Sequence, residues 1–331
     1  MNHRHLVVTT INPPNKAMKA LARGCHANDM PFFVIGDTKT PVDFSLVGAR
    51  YYSIEDQLRA FPLMAKKLPT AHYTRKNIGY LLAIKEGAVE IQETDDDNIP
   101  YQEFWEFDSS CGQVEQLRCD DSWYNVYQKF TEKKIWPRGF ALGKINMQPQ
   151  TSLKNAKVNG YIFQGLADGD PDVDALYRLT CELPVDFEQR QPIMLSPGVW
   201  CPFNSQNTIF RDAAFPLLYL PSYCSFRMTD IWRSLIAQRC IWELNESVVF
   251  HNATVYQERN EHDLLKDFAD EVPGYLQNER IAGLLEDCLL DPNDMYRNLI
   301  ICYEALIKHK IIAAEEGELV RQWCAELQVL T

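Results

Sequence analysis

The 331-residue chain carries 33 basic and 45 acidic side chains, a net charge of −12, with 46% hydrophobic and 24% charged residues. That is a globular composition for one large domain or a domain with an appendage, and its negative balance argues against broad binding to nucleic acid or anionic membrane. No apolar run approaches the roughly 18 residues of a membrane span. The amino terminus lacks a signal-peptide core, and the ten scattered cysteines show no CxxC pair or Cys/His metal spacing. A cytoplasmic protein with reduced, mostly buried thiols is expected.

In chain order, the first 100 residues alternate in α/β fashion. HLVVTTI (5–11) predicts a buried strand, Lys16 to Asn28 a helix, and FFVI (32–35) a second strand running into Gly36-Asp37. Tyr51-Tyr52 predicts a short third strand, and Glu55 to Lys67 a helix. Thr74 is a candidate N-cap for a helix over Arg75–Glu86, with Gly87 as its C-cap. The strand-like run from Val89 then ends in Asp95-Asp96-Asp97. Helix, glycine, strand and acid cluster is the order that places carboxylates at the C-terminal edge of an α/β sheet, where such folds bind ligands. Clustered carboxylate oxygens suit Mg²⁺ or Mn²⁺, and such a cation suits a diphosphate.

The loop after the first strand, Thr10 to Asn15, has neither a G-x-G-x-x-G nor a P-loop pattern. A bound phosphate is therefore expected to be held through a metal. Residues 100 to about 225 read as irregular and rich in Pro, Asn, Gln and aromatics, the composition of binding loops. From Thr229 onward the pattern is helical, with Leu264 to Leu330 broken at Pro273 and Pro292.

Several stretches together resemble the STELLO-like glycosyltransferase family. They are TRKNIGYLLAIKEGAVEIQETDDDN (74–98), WPRGFAL (136–142), DGDPDVDALYRLT (168–180), FNSQNTIF (203–210), FRMTDIWRSLIAQR (226–239) and VYQERNEHDLLKDF (255–268). That family is distantly similar to the plant reversibly glycosylated polypeptides, which are UDP-sugar mutases. The resemblance spans about residues 5–270 and implies a GT-A-like, Rossmann-type nucleotide-sugar-binding domain (1–260). A C-terminal helical appendage (261–331) packs on that domain in this reading. It further implies a D-x-D motif, a divalent metal (Mn²⁺ or Mg²⁺), a UDP-linked sugar donor and a glycan or glycolipid acceptor. The plant STELLO proteins are membrane-anchored. With no anchor in view, the expectation for this chain is a soluble microbial relative.

In this reading Asp97 and Asp95 contact the metal together with His262. Asp95, Asp96, Asp37, Thr10, Asn12, Arg75, Asn77 and Arg259 contact the donor, with Lys76 behind Arg75 and Asn77. Asp95 and Asp97 are expected on one side, Asp96 on the other. Asp230, flanked by Arg227 and Arg233, is the candidate general base. The same arginines are the alternative diphosphate contacts. The acidic loop Asp168–Asp174 fails the EF-hand test, lacking Gly and Glu at the required places, so Asp170 and Asp172 become catalytic candidates on the acceptor side. Trp136 is a candidate stacking face, and Arg138 sits in a partial match to the self-glycosylated stretch of the plant polypeptides. Two alternatives stand beside glycosyl transfer: a nucleotide-sugar mutase, and a non-catalytic nucleotide-sugar-binding scaffold. The helical C-terminus offers a dimer interface or a docking face for a membrane-bound partner.

Overall fold

The structure, a computed structural model, describes residues 4–109, 113–157, 160–258 and 263–331. Its first part follows from continuous apolar runs, which suit parallel strands covered on both faces. β1 (Arg4–Thr10) leads through Asn15 into α1 (Lys16–Ala27), whose first turn is capped by Asn15 Oδ1 accepting from Met18 N at 2.9 Å. β2 (Phe32–Gly36) and β3 (Arg50–Tyr52) follow. The single helix expected to Lys67 is two, α2 (Ile54–Ala60) and α3 (Pro62–Lys67). Pro62 has no N–H to continue α2, and its ring favours a fresh first turn. Ser53 and Asp56 close a capping box on α2.

α4 (Lys76–Lys85) precedes β4 (Glu90–Thr94), and β5 (Asn98–Pro100) and the short α5 (Glu103–Glu106) come after the acidic triplet. The helix starts after the position expected for it. Tyr73–Arg75 form a 3₁₀ turn capped by His72 Nδ1, which accepts from Thr74 N at 3.2 Å, so Thr74 is not the cap.

The stretch expected to be irregular holds half of the sheet. It contains β6 (Gln113–Cys119), β7 (Thr151–Lys157), β8 (Ile162–Gly169), α6 (Ala175–Thr180), β9 (Ile193–Leu195) and β10 (Asn207–Arg211). α7 (Thr229–Trp242) is the expected helix, but β11 (Val249–Gln257) interrupts the helical region before α8 (Leu264–Glu286), α9 (Met295–Lys308) and α10 (Glu316–Leu330). Pro273 lies inside α8 without ending it, whereas Pro292 falls in the α8–α9 connection. The Ser225 hydroxyl donates to the Asp270 carbonyl one turn before the proline.

The strands form a mixed sheet in the order β3-β2-β1-β4-β10-β8-β11-β9-β6-β7, with β5 paired to β11. β3, β2, β1 and β4 run parallel in the 3-2-1-4 order of a Rossmann-type half, and β10 enters antiparallel between β4 and β8. An α/β fold is therefore present. One apolar cluster runs from Val7 and Ile35 through α4 and α7 to Trp323 and Leu327 of α10, so the C-terminal helices share the core of the sheet. Trp323 Nε1 donates to the Pro216 carbonyl at 3.0 Å within it. The nine described cysteines are all free thiols.

The approach of α4 to the sheet depends on Gly79. A Cβ there would lie 2.5 Å from Val7 Cγ1 and 2.8 Å from Ile35 Cγ1. Overpacking of this kind costs about 1–3 kcal/mol. Gly79→Ala is expected to lower the midpoint of urea unfolding accordingly; an unchanged midpoint would show that α4 can move away freely.

Candidate functional site

The carboxyl ends of β1, β2 and β4 open into a cleft of about 510 Å³. This is the edge of a parallel α/β sheet at which ligands gather. Thr10 at the end of β1 and Asn12 after it, Asp37 after β2, and Asp95, Asp96 and Asp97 after β4 all line it. The segment 71–75, Arg138, Asp172, Phe226, Arg227, Asp230 and Gln257 complete the walls.

The acidic triplet occupies a turn closed by Asn98 N donating to Asp95 O at 3.4 Å. Its three carboxylates have different surroundings. Asp96 is tied back to the first loop: Thr10 Oγ1 donates to its Oδ2 at 2.5 Å, Asn12 Nδ2 at 3.2 Å, and Asn15 Nδ2 holds its carbonyl at 2.7 Å. Thr10 and Asn12 thus shape the cleft by holding Asp96. Asp97 is 9% exposed and receives Gln257 Nε2 at 3.3 and 3.4 Å. Gln257 in turn accepts from Gln206 Nε2 at 2.5 Å. Gln257 arrives there because β5 pairs with β11, putting it opposite Asn98, the residue after Asp97. Neither glutamine carries a sequence signal, since the pairing of β11 with β5 joins positions far apart in the chain.

Asp95 lines the cleft with 41% side-chain exposure and meets the fully buried Lys76 Nζ at 3.3 Å. Lys76 also donates to the Thr94 and Ser205 carbonyls at 3.2 and 3.3 Å. Withdrawal from bulk water pushes the Asp95 carboxyl up to about 7; Lys76 opposes this, and the charges of Asp97, Asp230 and Asp96 add to it. Lys76, ranked below Arg75 and Asn77 from sequence, is the one of the three that reaches the triplet.

Arg75 and Asn77 are structural. The Arg75 guanidinium is buried, donating to Gln57 Oε1 at 2.7 Å and to the Leu68, Pro69 and Ala65 carbonyls. The Asn77 amide clasps the Leu220 backbone at 2.9 Å in both directions. Asp37 borders the cleft, but its carboxylate accepts from Thr38, Ala71 and His72 N–H groups at 2.6–3.0 Å and so fixes the 71–75 wall. Sequence missed His72, Tyr73 and Phe226, whose rings pack together at that wall.

The catalytic candidates resolve differently from expectation. Arg138 is buried, and all five of its N–H donors are used. Nε and Nη2 hold Asp172 at 2.8 Å each, Nη1 and Nη2 hold Asp230 at 3.0 and 2.8 Å, and Nη1 also meets the Arg227 carbonyl. Burial would raise the Asp230 carboxyl, but Arg138 outweighs it, with help from Arg233 and the Ser205 N–H, and holds it down to about 2. A carboxylate so bound is a weak proton acceptor, so the geometry does not support Asp230 or Asp172 as a free base. It also leaves Arg138 no spare nitrogen for a sugar. Asp170 lies outside the cleft lining and pairs with Arg178. Trp136 is buried, its Nε1 donating to Asp174 at 2.7 Å, and offers no stacking face. Arg233 is buried against Glu93 at 2.7 Å, out of reach of a diphosphate, while Arg227 faces the cleft and pairs with Glu271 at 2.8 Å. Arg259 and His262 lie outside the described residues. Among the described residues no group of three or more His, Cys, Asp or Glu side chains is disposed to hold a metal. Among them, too, no helix is long and apolar enough to cross a membrane.

The fold and cleft thus define an α/β protein with an acid-lined ligand site at the strand ends. A model of the STELLO glycosyltransferases matches residues 227–331. Two proteins of Arabidopsis thaliana align more widely. The probable glycosyltransferase STELLO1 is 29% identical over 76% of this chain and 35% of its own length; STELLO2 is 28% identical over 94% and 42%. By these matches the chain is STELLO-like, as its motifs predicted, and the class named for those relatives is glycosyltransferase. It spans about two fifths of the length of those relatives. The crystal structure of M. tuberculosis glucosyl-3-phosphoglycerate synthase superposes loosely, at a TM-score of 0.39 and 12% identity over 86% of this chain and 78% of that one; nothing rests on it.

Two measurements follow from this geometry. Arg138→Ala leaves Asp172 and Asp230 buried without their partner, at an expected cost of about 3–5 kcal/mol in urea unfolding; a loss under about 1 kcal/mol would mean that water reaches the pair. Burial holds His72 down to about 4 against the pull of Asp37. The unfolded chain therefore binds a proton near pH 6.5 that the folded chain refuses, so this histidine's contribution to stability falls as pH drops from about 6.5 to about 4. His72→Gln is expected to flatten that part of the stability profile; identical profiles would show that His72 is hydrated.

Proposed function

We propose that the chain transfers a glycosyl group from a nucleoside diphosphate sugar, UDP-linked, to a hydroxyl of a glycan or glycolipid acceptor. The observation that carries this reading is the divided triplet at the end of β4: Asp96 is locked to the first loop while Asp95 and Asp97 stay at the cleft. The STELLO likeness supports the reaction class. The donor set suits a hard divalent cation, because Asp95 and Asp97 bring carboxylate oxygens to the same cleft at the end of β4. Mg²⁺ and Mn²⁺ sites of this kind commonly use one or two carboxylates and complete the shell with water and substrate phosphate. Asp95 and Asp97 would hold such an ion, which when bound supplies charge neutralisation for a departing diphosphate.

The chain's own residues do the remaining work. Lys76 keeps Asp95 oriented from beneath, Gln257 and Gln206 do the same for Asp97, and Asp37 fixes the wall carrying His72. Arg138 holds Asp172 and Asp230 immobile and keeps Asp230 ionised, so the floor presents fixed negative charge where positive character develops at a transferring sugar. The mutase and the non-catalytic scaffold share the donor site and differ in turnover.

UDP-sugars with Mn²⁺ are expected to raise the melting temperature, and slow UDP release is expected to follow. Asp97→Ala should abolish the Mn²⁺-dependent part of the shift while leaving the unliganded melting temperature within a few degrees. Unchanged donor binding and metal dependence in Asp97→Ala would reject the site. Ring interconversion of the UDP-sugar without acceptor would select the mutase.

A further inference from the structure

A second cavity, of about 560 Å³, opens on the far side of the segment that carries Arg138. Arg138 lines the first cleft and Phe140 the second. The second is walled by the 123–134 segment and the turn before β7, and its lining holds Lys129, Lys133, Lys134 and Lys144 against one carboxylate, Glu132. In a chain of net charge −12 that is a local reversal of sign. Two of the lysines are occupied: Lys144 pairs with Asp121 at 2.7 Å, and Lys133 Nζ donates to the Pro184 carbonyl at 3.0 Å. Lys129 and Lys134 have no acidic partner among the described residues.

Asn125 is 9% exposed and lines the cavity. Its Nδ2 donates to the Ile135 carbonyl at 2.6 Å, but its Oδ1 has no hydrogen-bond partner. That oxygen is sealed from the cavity, so Asn125 fixes the wall through Ile135 and is not itself a ligand contact. Gln128, Asn146 and Gln148 place exposed amide groups around the opening. Amides matched to hydroxyls and lysines matched to an anion describe the chemistry of a charged sugar.

We propose that this cavity is a second binding site, for an anionic saccharide whose charge is a phosphate or carboxylate and whose hydroxyls meet the amide groups. It is separate from the acidic cleft and does not rest on the reading of that cleft.

Titration calorimetry on the full chain tests it, with glucose 6-phosphate, glucuronate, glucose and inorganic phosphate as probes. The charged sugars are expected to bind more tightly than glucose and more tightly than phosphate, with affinity falling as salt rises. The double variant Lys129→Glu/Lys134→Glu should bind them at least about tenfold more weakly, and the single variant Lys134→Glu, at an exposed position, should weaken binding with an unchanged melting temperature. Asp97→Ala, and saturation with UDP and Mn²⁺, should leave binding unchanged, which separates this site from the first. The proposal is overturned if no charged sugar binds into the millimolar range, or if phosphate alone binds as tightly. Equal binding by the double variant, or displacement of the sugar by UDP with Mn²⁺, overturns it as well.

Discussion

The arrangement of the cleft depends on one buried guanidinium. Arg138 joins three parts of the chain that are distant in sequence: its own WPRGF segment, the acidic loop through Asp172, and the first turn of α7 through Asp230. Each bond is charge-assisted, and the two carboxylates would be strongly disfavoured in this environment without it. Arg138 N also donates to the Asp172 carbonyl at 2.9 Å, so backbone and side chain act together. Around this clasp the wall residues Arg227 and Tyr73 take their places, Tyr73 donating to Asp230 at 3.3 Å.

The triplet on the opposite wall works by contrast. Asp172 and Asp230 share the single guanidinium of Arg138, whereas Asp95 meets a single lysine, Lys76, beside the carboxylates of Asp97, Asp230 and Asp96. The cleft therefore has an acidic floor clasped by an arginine and an acidic tip that meets a lysine and a glutamine. Both present net negative charge to an incoming cation or cationic centre, since Arg138 supplies one positive charge to two carboxylates and Lys76 one to the triplet.

What was readable from sequence follows a physical pattern. β1 and β2 are parallel strands covered on both faces, so they appear as the unbroken apolar runs LVV and FFVI, whereas β4 (EIQET) has only Ile91 as an apolar residue and is legible from its place after α4 and Gly87. β7 (TSLKNAK) is almost entirely exposed and its residues carry no apolar period, so nothing marked it as a strand. β11 pairs with β8 through two register shifts, and those irregularities blur its alternation. In the cleft, the residues at the ends of the readable strands (Thr10, Asn12, Asp37 and the triplet) all line the rim. The partners of each were not legible, since Asp37 and Asp96 accept hydrogen bonds from neighbouring loops.

Residue type and local order by themselves determined that an α/β sheet would end in a cluster of carboxylates, because periodicity and turn chemistry act over a few residues. The tertiary structure alone decided which partner each carboxylate meets. Asp230 and Asp172 look like acids for hire in the sequence and are bound by an arginine 92 and 34 residues away. Lys76 looks like a surface cation and is buried beneath Asp95. Charge compensation depends on distance in space and on exclusion of water, and neither is encoded by proximity along the chain.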